Sequence, residues 1–190
     1  MKLHRLALHN FRQFRDDEIE FARGDTDNVT VIHGANGSGK TTLLNAFTWL
    51  LYENVDFDTR PDRLASEGAM ATADPGEEVT VSVTLEFLHD EAQYKTTRTA
   101  TYEKQSPSDF DGVQTDTDLV VEYDDGSGPV RPGNPGNVLS QIIPERLSEL
   151  FFFDGEDIDE LAGIDNQDRI QESIQNIMGL TILERATRHL

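Results

Sequence analysis

The sequence of 190 residues has no cysteine and only four lysines. The absence of cysteine excludes disulfide bonds and thiolate metal sites. No segment approaches the roughly 18 consecutive apolar residues of a membrane-spanning helix, and the amino terminus has no apolar signal segment. We therefore expect a soluble, cytoplasmic protein with no membrane partner, whose length suits one domain with a short appended element.

Basic residues are scarce: 16 Lys and Arg stand against 36 Asp and Glu, for a formal net charge of -20. Such a chain repels polyanions on average, which disfavours nucleic-acid binding through a generic basic surface. The acidic residues are spread from Asp16 to Asp168 instead of forming one tail. This spread favours the acid-rich, lysine-poor surface of a halophilic protein, and that interpretation leaves a DNA-related role open.

The amino-terminal part predicts strands followed by a helix. Loose alternation over 2–9 and the segment 18–21 indicate two strands of a meander. The β-branched run VTVI at 29–32 predicts a short buried strand. The thirteen residues from Lys40 are apolar all round and predict a mostly buried helix.

The second part predicts an antiparallel hairpin and then helical segments. Val79 to Phe87 alternate with polar residues, and 93–103 supplies the partner strand. The remaining predicted elements are a strand at 119–123 between loops, a helix at 138–149 interrupted at Pro144, a doubly buried strand at 150–153, and a helix from 166 to the end.

The segment Gly34 to Thr41, GANGSGKT, matches the P-loop pattern G-x-x-x-x-G-K-[ST]. Glycines let backbone N–H groups form a concave phosphate cradle, and the following helix directs its amino end at the same anion. In this pattern Lys40 reaches the β- and γ-phosphates and Thr41 ligates Mg²⁺. A glycine-rich turn without nucleotide is the alternative. The predicted nucleotide contacts of this motif are Asn36, Gly37, Ser38, Gly39, Lys40, Thr41 and Thr42.

The opening MKLHRLALHNFRQF and the segment VTVIHGANGSGKTTLLNAFTWLLYE closely resemble the amino-terminal lobe of SMC-like ABC ATPases of the SbcC type. The resemblance implies an α/β P-loop lobe with an antiparallel β flank. It also implies that Arg12, with Gln13 beside it, lies at the nucleotide phosphates. Without the resemblance, Arg12 would be interpreted as a surface arginine at a strand end.

A second segment, ELFFFDGE at 149–156, has two functional interpretations. It could be a Walker B strand, with Asp154 on Mg²⁺ and Glu156 as the base for water. It could instead be the Q-loop of an SMC-like head, with Asp154 where that family has Gln. We favour the Q-loop, and the departure FFFDGE is similar to the DndD-type ATPases of DNA sulfur-modification systems. A core strand followed by a polar turn is the structural alternative. Under either functional interpretation, Asp154 is a catalytic and metal-binding candidate together with Lys40.

The resemblance implies that residues 1–165 form the lobe and that 166–190 begin a coiled coil leading to a carboxy-terminal lobe of the same full-length protein. Signature and second-half Walker B motifs are absent from the sequence, so we expect this chain alone to bind ATP–Mg²⁺ without turnover. Two heads would form a homodimer and act on DNA through the assembled complex, in sulfur modification, restriction or double-strand-break repair. A non-hydrolysing nucleotide-gated clamp, an ATPase component of a transporter and a self-contained NTPase using Asp154 as Walker B remain alternatives.

Overall fold

The structure, a computed structural model, describes residues 1–24, 26, 28–57 and 63–152. The chain divides into two compact units, Met1–Ile142 and Ile143–Leu190. The expected boundary between 165 and 166 and the terminal coiled-coil helix lie outside the described residues. Within the described part, no helix combines the length and the apolar character needed to cross a membrane.

The described residues of the first unit form six strands and three helices, and those of the second form a short helical segment. In chain order they are β1 (Lys2–Phe11), β2 (Phe14–Glu20), α1 (Lys40–Tyr52), α2 (Glu67–Thr72), β3 (Glu78–His89), β4 (Ala92–Glu103), β5 (Val113–Asp124), β6 (Pro129–Val130), α3 (Pro135–Ile142), a 3₁₀ turn (Glu145–Leu147) and α4 (Ser148–Phe151).

The strands form one sheet in the order β2-β1-β3-β4-β5-β6, in which every neighbouring pair is antiparallel. The predicted hairpin is confirmed as β3 and β4, joined by a tight turn at Asp90 and Glu91. Both turn residues have positive φ, 47° and 66°, which is the conformation that matches the twist of two adjoining strands. The meander β1–β2 is also confirmed.

One face of the sheet carries the core. Val81, Val83 and Leu85 of β3 are fully buried, and α1 packs on β3 and β4 through its own buried side chains, including Trp49 and Leu50. The predicted P-loop helix therefore forms at Lys40–Tyr52, with its first two residues exposed and its carboxy-terminal half buried. Packing against β3 and β4 thus holds α1, the helix that follows the P-loop, in place on the sheet.

Strand β5 is longer than predicted, because it begins at Val113 and not at 119. The added residues are exposed and, apart from Val113, polar, so the sequence pattern contains no hydrophobic alternation to reveal them. Their backbone groups pair with β4, for example Thr117 opposite Ala100. Backbone pairing at this position needs no burial of side chains.

The predicted buried strand at 29–32 is wrong: this segment forms neither strand nor helix, and its residues are exposed. The exposed fractions are 74% for Val29, 66% for Val31 and 45% for Ile32. A β-branched run becomes a strand only when a neighbouring strand satisfies its backbone groups. None of the six strands of the described sheet pairs with it.

The predicted strand at 150–153 is also wrong over its described residues. In the second unit a 3₁₀ turn after Pro144 leads into α4, which includes Leu150 and Phe151. Phe151 is 58% exposed and not buried between two layers. A run of four apolar residues does not by itself distinguish strand from helix. Asp154 and Glu156 lie outside the described residues.

Candidate functional site

The P-loop forms the connection that leads into α1. Gly37 and Gly39 adopt positive φ, 78° and 103°, a conformation that glycine reaches without strain. The amide of Ser38 donates to the carbonyl of Ala35, closing the turn at 3.1 Å. Asn36, Gly37 and Ser38 are exposed. The glycine pattern therefore has the backbone shape that the sequence predicts for a phosphate cradle.

Helix α1 begins at this loop with an uncapped amino end. Gly39 is its N-cap, no side chain bonds the first amides, and the first turn contains no acidic residue. The first four N–H groups of a helix have no partner within the helix, and their positive end attracts anions. This end of α1 can therefore receive a phosphate group.

Lys40 is the first residue of α1, and its ammonium lies over the P-loop. Its Nζ donates to the carbonyl oxygens of Gly34 at 3.0 Å and Ala35 at 3.1 Å. Both Lys40 and the neighbouring Thr41 are exposed. The positive charge, the loop amides and the helix end are thus brought together around one small volume.

Gln13, in the turn between β1 and β2, contacts the P-loop. Its Nε2 donates to the Oγ1 of Thr42 at 3.3 Å, and a Cβ built on Gly39 would collide with the same Nε2. Because Gln13 is an exposed and flexible side chain that can shift, the positive φ of 103° is the stronger reason for glycine at this position. The structure brings Gln13 and Thr42 together, although 29 residues separate them in sequence.

Arg12 lies in the same turn, but its described contacts are with the segment after α1. The guanidinium carbon is 4.2 Å from the centre of the Phe57 ring, and Nη1 donates to the carbonyl of Arg63 at 2.9 Å. The Arg12 amide donates to the carbonyl of Leu64 at 2.7 Å. The role of Arg12 at the phosphates therefore stays a prediction. Arg12 directly precedes Gln13, the turn residue that contacts the P-loop.

The turn that presents Arg12 is held in an unusual backbone conformation. Asn10 and Arg12 have φ of 49° and 54°, which for residues other than glycine costs about 1 kcal/mol or more each. Asn10 is buried and donates to the carbonyl of Thr80 at 3.0 Å. Phe11 between them is fully buried, with its ring 5.5 Å from that of Trp49. Such strain persists only where the surroundings enforce it, which is typical of functional turns.

Asn45 of α1 links the P-loop helix to the segment that carries Phe57. Its Nδ2 donates to the carbonyls of Thr41 at 3.0 Å and Asp56 at 2.8 Å, while its Oδ1 accepts the Asp56 amide. The side chain is buried, with 4% exposed. Asn45 therefore fixes the backbone directly before Phe57, the ring on which Arg12 lies.

Replacing Asn45 by alanine should lower the free energy of unfolding by about 1–2 kcal/mol, because two part-buried hydrogen bonds to the backbone of Asp56 are lost. Urea denaturation followed by Trp49 fluorescence measures this change. The matched control is Thr48→Ala, which removes a hydroxyl bonded to a carbonyl of the same helix. It should change stability by less than about 0.5 kcal/mol. Equal effects of the two substitutions would contradict the linking role of Asn45.

Sequence reasoning missed three arginines near this region. Arg15 and Arg63 line a groove beside Gln13, and the buried Arg98 on β4 donates to the carbonyl of Leu50 near the end of α1. No sequence signal identifies them, because each arginine is brought to its neighbours only by the fold. Among the described residues, no group of three or more His, Cys, Asp or Glu side chains has metal-ligand geometry.

Comparisons with known proteins agree with the resemblance found in the sequence. A family model described as AAA domain matches residues 5–188. The chain is 30% identical over 131 residues to the SbcC component of the SbcCD nuclease in Staphylococcus aureus strains JH9 and Newman. These matches cover 69% of this chain and 12% of each relative, so the chain spans a small part of those proteins.

The fold is similar to that of a solved structure from work on ATP-driven dimerization and DNA-stimulated activation of SMC ATPases. The TM-score is 0.54 at 17% sequence identity, over 92% of this chain and 99% of the other. The predicted α/β P-loop lobe with an antiparallel flank is confirmed at the level of the fold. Because the family match spans nearly the whole chain, this protein belongs to the AAA domain family and has the fold of an SMC-like ATPase head.

Proposed function

We propose that this chain binds ATP with Mg²⁺ and is the amino-terminal lobe of an ATPase head that hydrolyses ATP and acts on DNA. One observation carries the proposal. The P-loop glycines with positive φ, the uncapped amino end of α1 and the Lys40 ammonium converge on one exposed volume. This combination suits a triphosphate, because amides and an ammonium together neutralise several negative oxygens.

The residues present fit the nucleotide and part of a metal site. Gly37 and Gly39 hold their positive φ without strain, so at these two positions the loop presents backbone and no side chain to a phosphate. For Mg²⁺ the described part offers the Thr41 hydroxyl, and Asp154 is the second proposed ligand. Mg²⁺ commonly takes one or two protein ligands and completes its shell with phosphates and water.

In the proposed reaction, Lys40 neutralises charge on the β- and γ-phosphates, and Gln13 holds the β1–β2 turn against the loop. Bound Mg²⁺ supplies further charge neutralisation for phosphoryl transfer to water. Arg12 would leave the Phe57 ring and bind a phosphate. Asp154 would help to orient the attacking water.

The exposed segment 29–32 supports the proposal that a second lobe completes the head. Three large apolar side chains lie exposed directly before the P-loop, and their backbone has no strand partner in the described sheet. Pairing with a strand of the carboxy-terminal lobe would satisfy that backbone and bury about two to three apolar side chains. We therefore propose that lobe as the partner, with a head homodimer and DNA bound by the assembled complex.

DNA sulfur modification is the narrower setting that we propose, from the FFFDGE segment and its similarity to DndD-type ATPases. Double-strand-break repair is the alternative setting, and the S. aureus relatives are components of the SbcCD nuclease. The helical conformation of 148–151 weighs against an apolar strand ending at Asp154, on which the Walker B and the Q-loop interpretations both depend, so it does not separate the self-contained NTPase from the split head.

The test is ATP–Mg²⁺ binding by calorimetry and phosphate release, in molar KCl, with and without the carboxy-terminal lobe of the full-length protein. We expect binding without turnover by the chain alone, and turnover when that lobe is added. Turnover by the chain alone, abolished by Asp154→Ala, would establish the self-contained NTPase. Binding without turnover in both cases would establish the nucleotide-gated clamp, and absence of binding would overturn the proposal.

A further inference from the structure

The Arg12 side chain is held by the connection between α1 and α2. Its guanidinium carbon lies 4.2 Å from the centre of the Phe57 ring, within the distance of about 6 Å at which a cation and an aromatic face attract each other. Its Nη1 donates to the carbonyl of Arg63 at 2.9 Å. Both partners belong to that connection, so two separate contacts retain the arginine there.

The Phe57 ring is fixed by packing and offers Arg12 a stationary face. The residue is 8% exposed, and its ring centre lies 6.4 Å from that of Phe11. Phe11 is fully buried and packs on Trp49 of α1, with 5.5 Å between the ring centres. Because protein interiors are densely packed, a ring inside such a cluster has little freedom to follow a moving side chain.

Phe57 is also connected to the first turn of α1. The buried Asn45 donates to the carbonyls of Thr41 and Asp56, and its Oδ1 accepts the Asp56 amide. Asp56 directly precedes Phe57, and Thr41 is the proposed Mg²⁺ ligand. One side chain therefore joins the helix end that would hold the metal to the backbone that carries the ring.

Binding of Arg12 to a phosphate has to remove the guanidinium from this ring. A cation on a ring face is attracted by the negative face of the π-system, and a phosphate must compete with that attraction. When a binding group is held elsewhere, the measured affinity falls by the fraction of molecules in which the group is available. The contact with Phe57 thus acts against nucleotide binding.

We propose that Phe57 is a positioning residue that retains Arg12 on the connection between α1 and α2 and yields it to the phosphates of ATP, an inference that rests on the proposed function. The ring and the phosphates compete for one guanidinium, so Phe57 lowers the affinity for ATP. Release of the side chain also breaks its bond to the Arg63 carbonyl. Nucleotide binding therefore loosens one tie between the β1–β2 turn and the segment that leads into α2.

The first experiment changes the charge distribution of the Phe57 ring and nearly preserves its size. Phenylalanines with one, two and three ring fluorine atoms are placed at position 57, and calorimetry measures the affinity for ATP–Mg²⁺ at one KCl concentration. Fluorine withdraws negative charge from the ring face, so the affinity should rise stepwise, by about fivefold over the series. The matched control is the same series at Phe21, a half-buried ring whose centre lies 6.2 Å from that of Phe47, and it should leave the affinity unchanged.

The second experiment repeats the Phe57 series in Arg12→Gln. This substitution should weaken ATP binding about tenfold or more, because a charged hydrogen bond to phosphate is lost. Fluorination should then have no effect, because no cation lies on the ring. An equal rise with and without Arg12 would show that the ring acts through packing alone and would overturn the inference. Affinity that falls with fluorination in the wild-type background would show that the ring supports the bound arginine, which also overturns it.

Failure of this inference can be distinguished from failure of the proposed function. If the wild-type chain binds ATP and fluorination at Phe57 changes nothing, only the role of Phe57 is refuted. If Arg12→Gln binds ATP as tightly as wild type, the phosphate role of Arg12 and this inference fail together, while nucleotide binding by the P-loop stands. A wild-type chain that does not bind ATP refutes the proposed function itself.

Discussion

Replacing Lys40 by alanine should weaken ATP–Mg²⁺ binding by about 30-fold or more. Removing one partner of a close charge pair costs about 2–5 kcal/mol, and every 1.4 kcal/mol is a factor of ten in affinity. The Lys40 ammonium lies over the P-loop, held by the carbonyls of Gly34 and Ala35, and no other described cation has this position. In the variant, no ammonium at this position would neutralise the β- and γ-phosphates.

The fold should tolerate this change, because Lys40 is exposed and its two bonds are to exposed loop carbonyls. We expect the free energy of unfolding to change by less than about 0.5 kcal/mol. The matched control is Lys95→Ala, an exposed lysine on β4 whose removal should leave ATP affinity unchanged. Calorimetric titration with ATP–Mg²⁺ measures both variants. Unaltered affinity in Lys40→Ala would show that the loop does not hold the nucleotide as proposed.

Replacing Arg98 by methionine should lower the free energy of unfolding by about 3 kcal/mol. Arg98 is 6% exposed, and its Nε donates to the carbonyl of Leu50 at 3.0 Å, while Nη1 contacts the Glu53 carboxylate at 2.9 Å. Burial lowers the pKa of this guanidinium from its usual value, and the Glu53 charge opposes that shift. Removing the guanidinium leaves the carbonyl of the buried Leu50 without a partner, which costs about 1–3 kcal/mol, and the lost contact with the half-exposed Glu53 carboxylate adds about 1 kcal/mol or less.

Arg98 binds a carbonyl in the last turn of α1, the helix that begins at the P-loop, so its loss should destabilise that helix. The last carbonyls of a helix have no partner within it, and a cation at this end also suits the helix dipole. Urea denaturation at one fixed KCl concentration measures the loss. Glu53→Gln is the control: its side chain is half exposed and its amide oxygen can still accept the bond, so we expect about 1 kcal/mol or less. Stability of Arg98→Met equal to wild type would refute the anchoring role.

Two parts of the structure could be predicted because their signals are local. In the P-loop, eight consecutive residues determine backbone shape, helix start and lysine position together. In β3 and β4, alternation of Val79 to Phe87 with polar residues specifies which face is buried, and register follows from the tight turn at Asp90 and Glu91. Neither inference needs knowledge of distant residues.

The errors concern apolar runs that are too short to specify their partners. The segment 29–32 has strand propensity, but the described sheet gives it no neighbour, so it stays exposed. The run beginning at 150 has no period that separates strand from helix, and Pro144 ahead of it starts a helical turn. In both cases the residues have a local preference for strand, and the tertiary context overrides that preference.

The sequence by itself determined the phosphate cradle, its lysine, the helix behind it and the antiparallel hairpin, because contacts between near neighbours in the chain define each of them. Only the tertiary structure decided that Gln13 covers Gly39, that Arg12, Arg15 and Arg63 meet in one groove, and that Arg98 ends α1. The contacting segments lie about 26 to 51 positions apart, as in the pairs Gln13 and Gly39 or Arg12 and Arg63, and a single sequence contains no pattern that spans such a distance. The six-stranded sheet brings them together, since antiparallel pairing sets the position of each turn relative to α1.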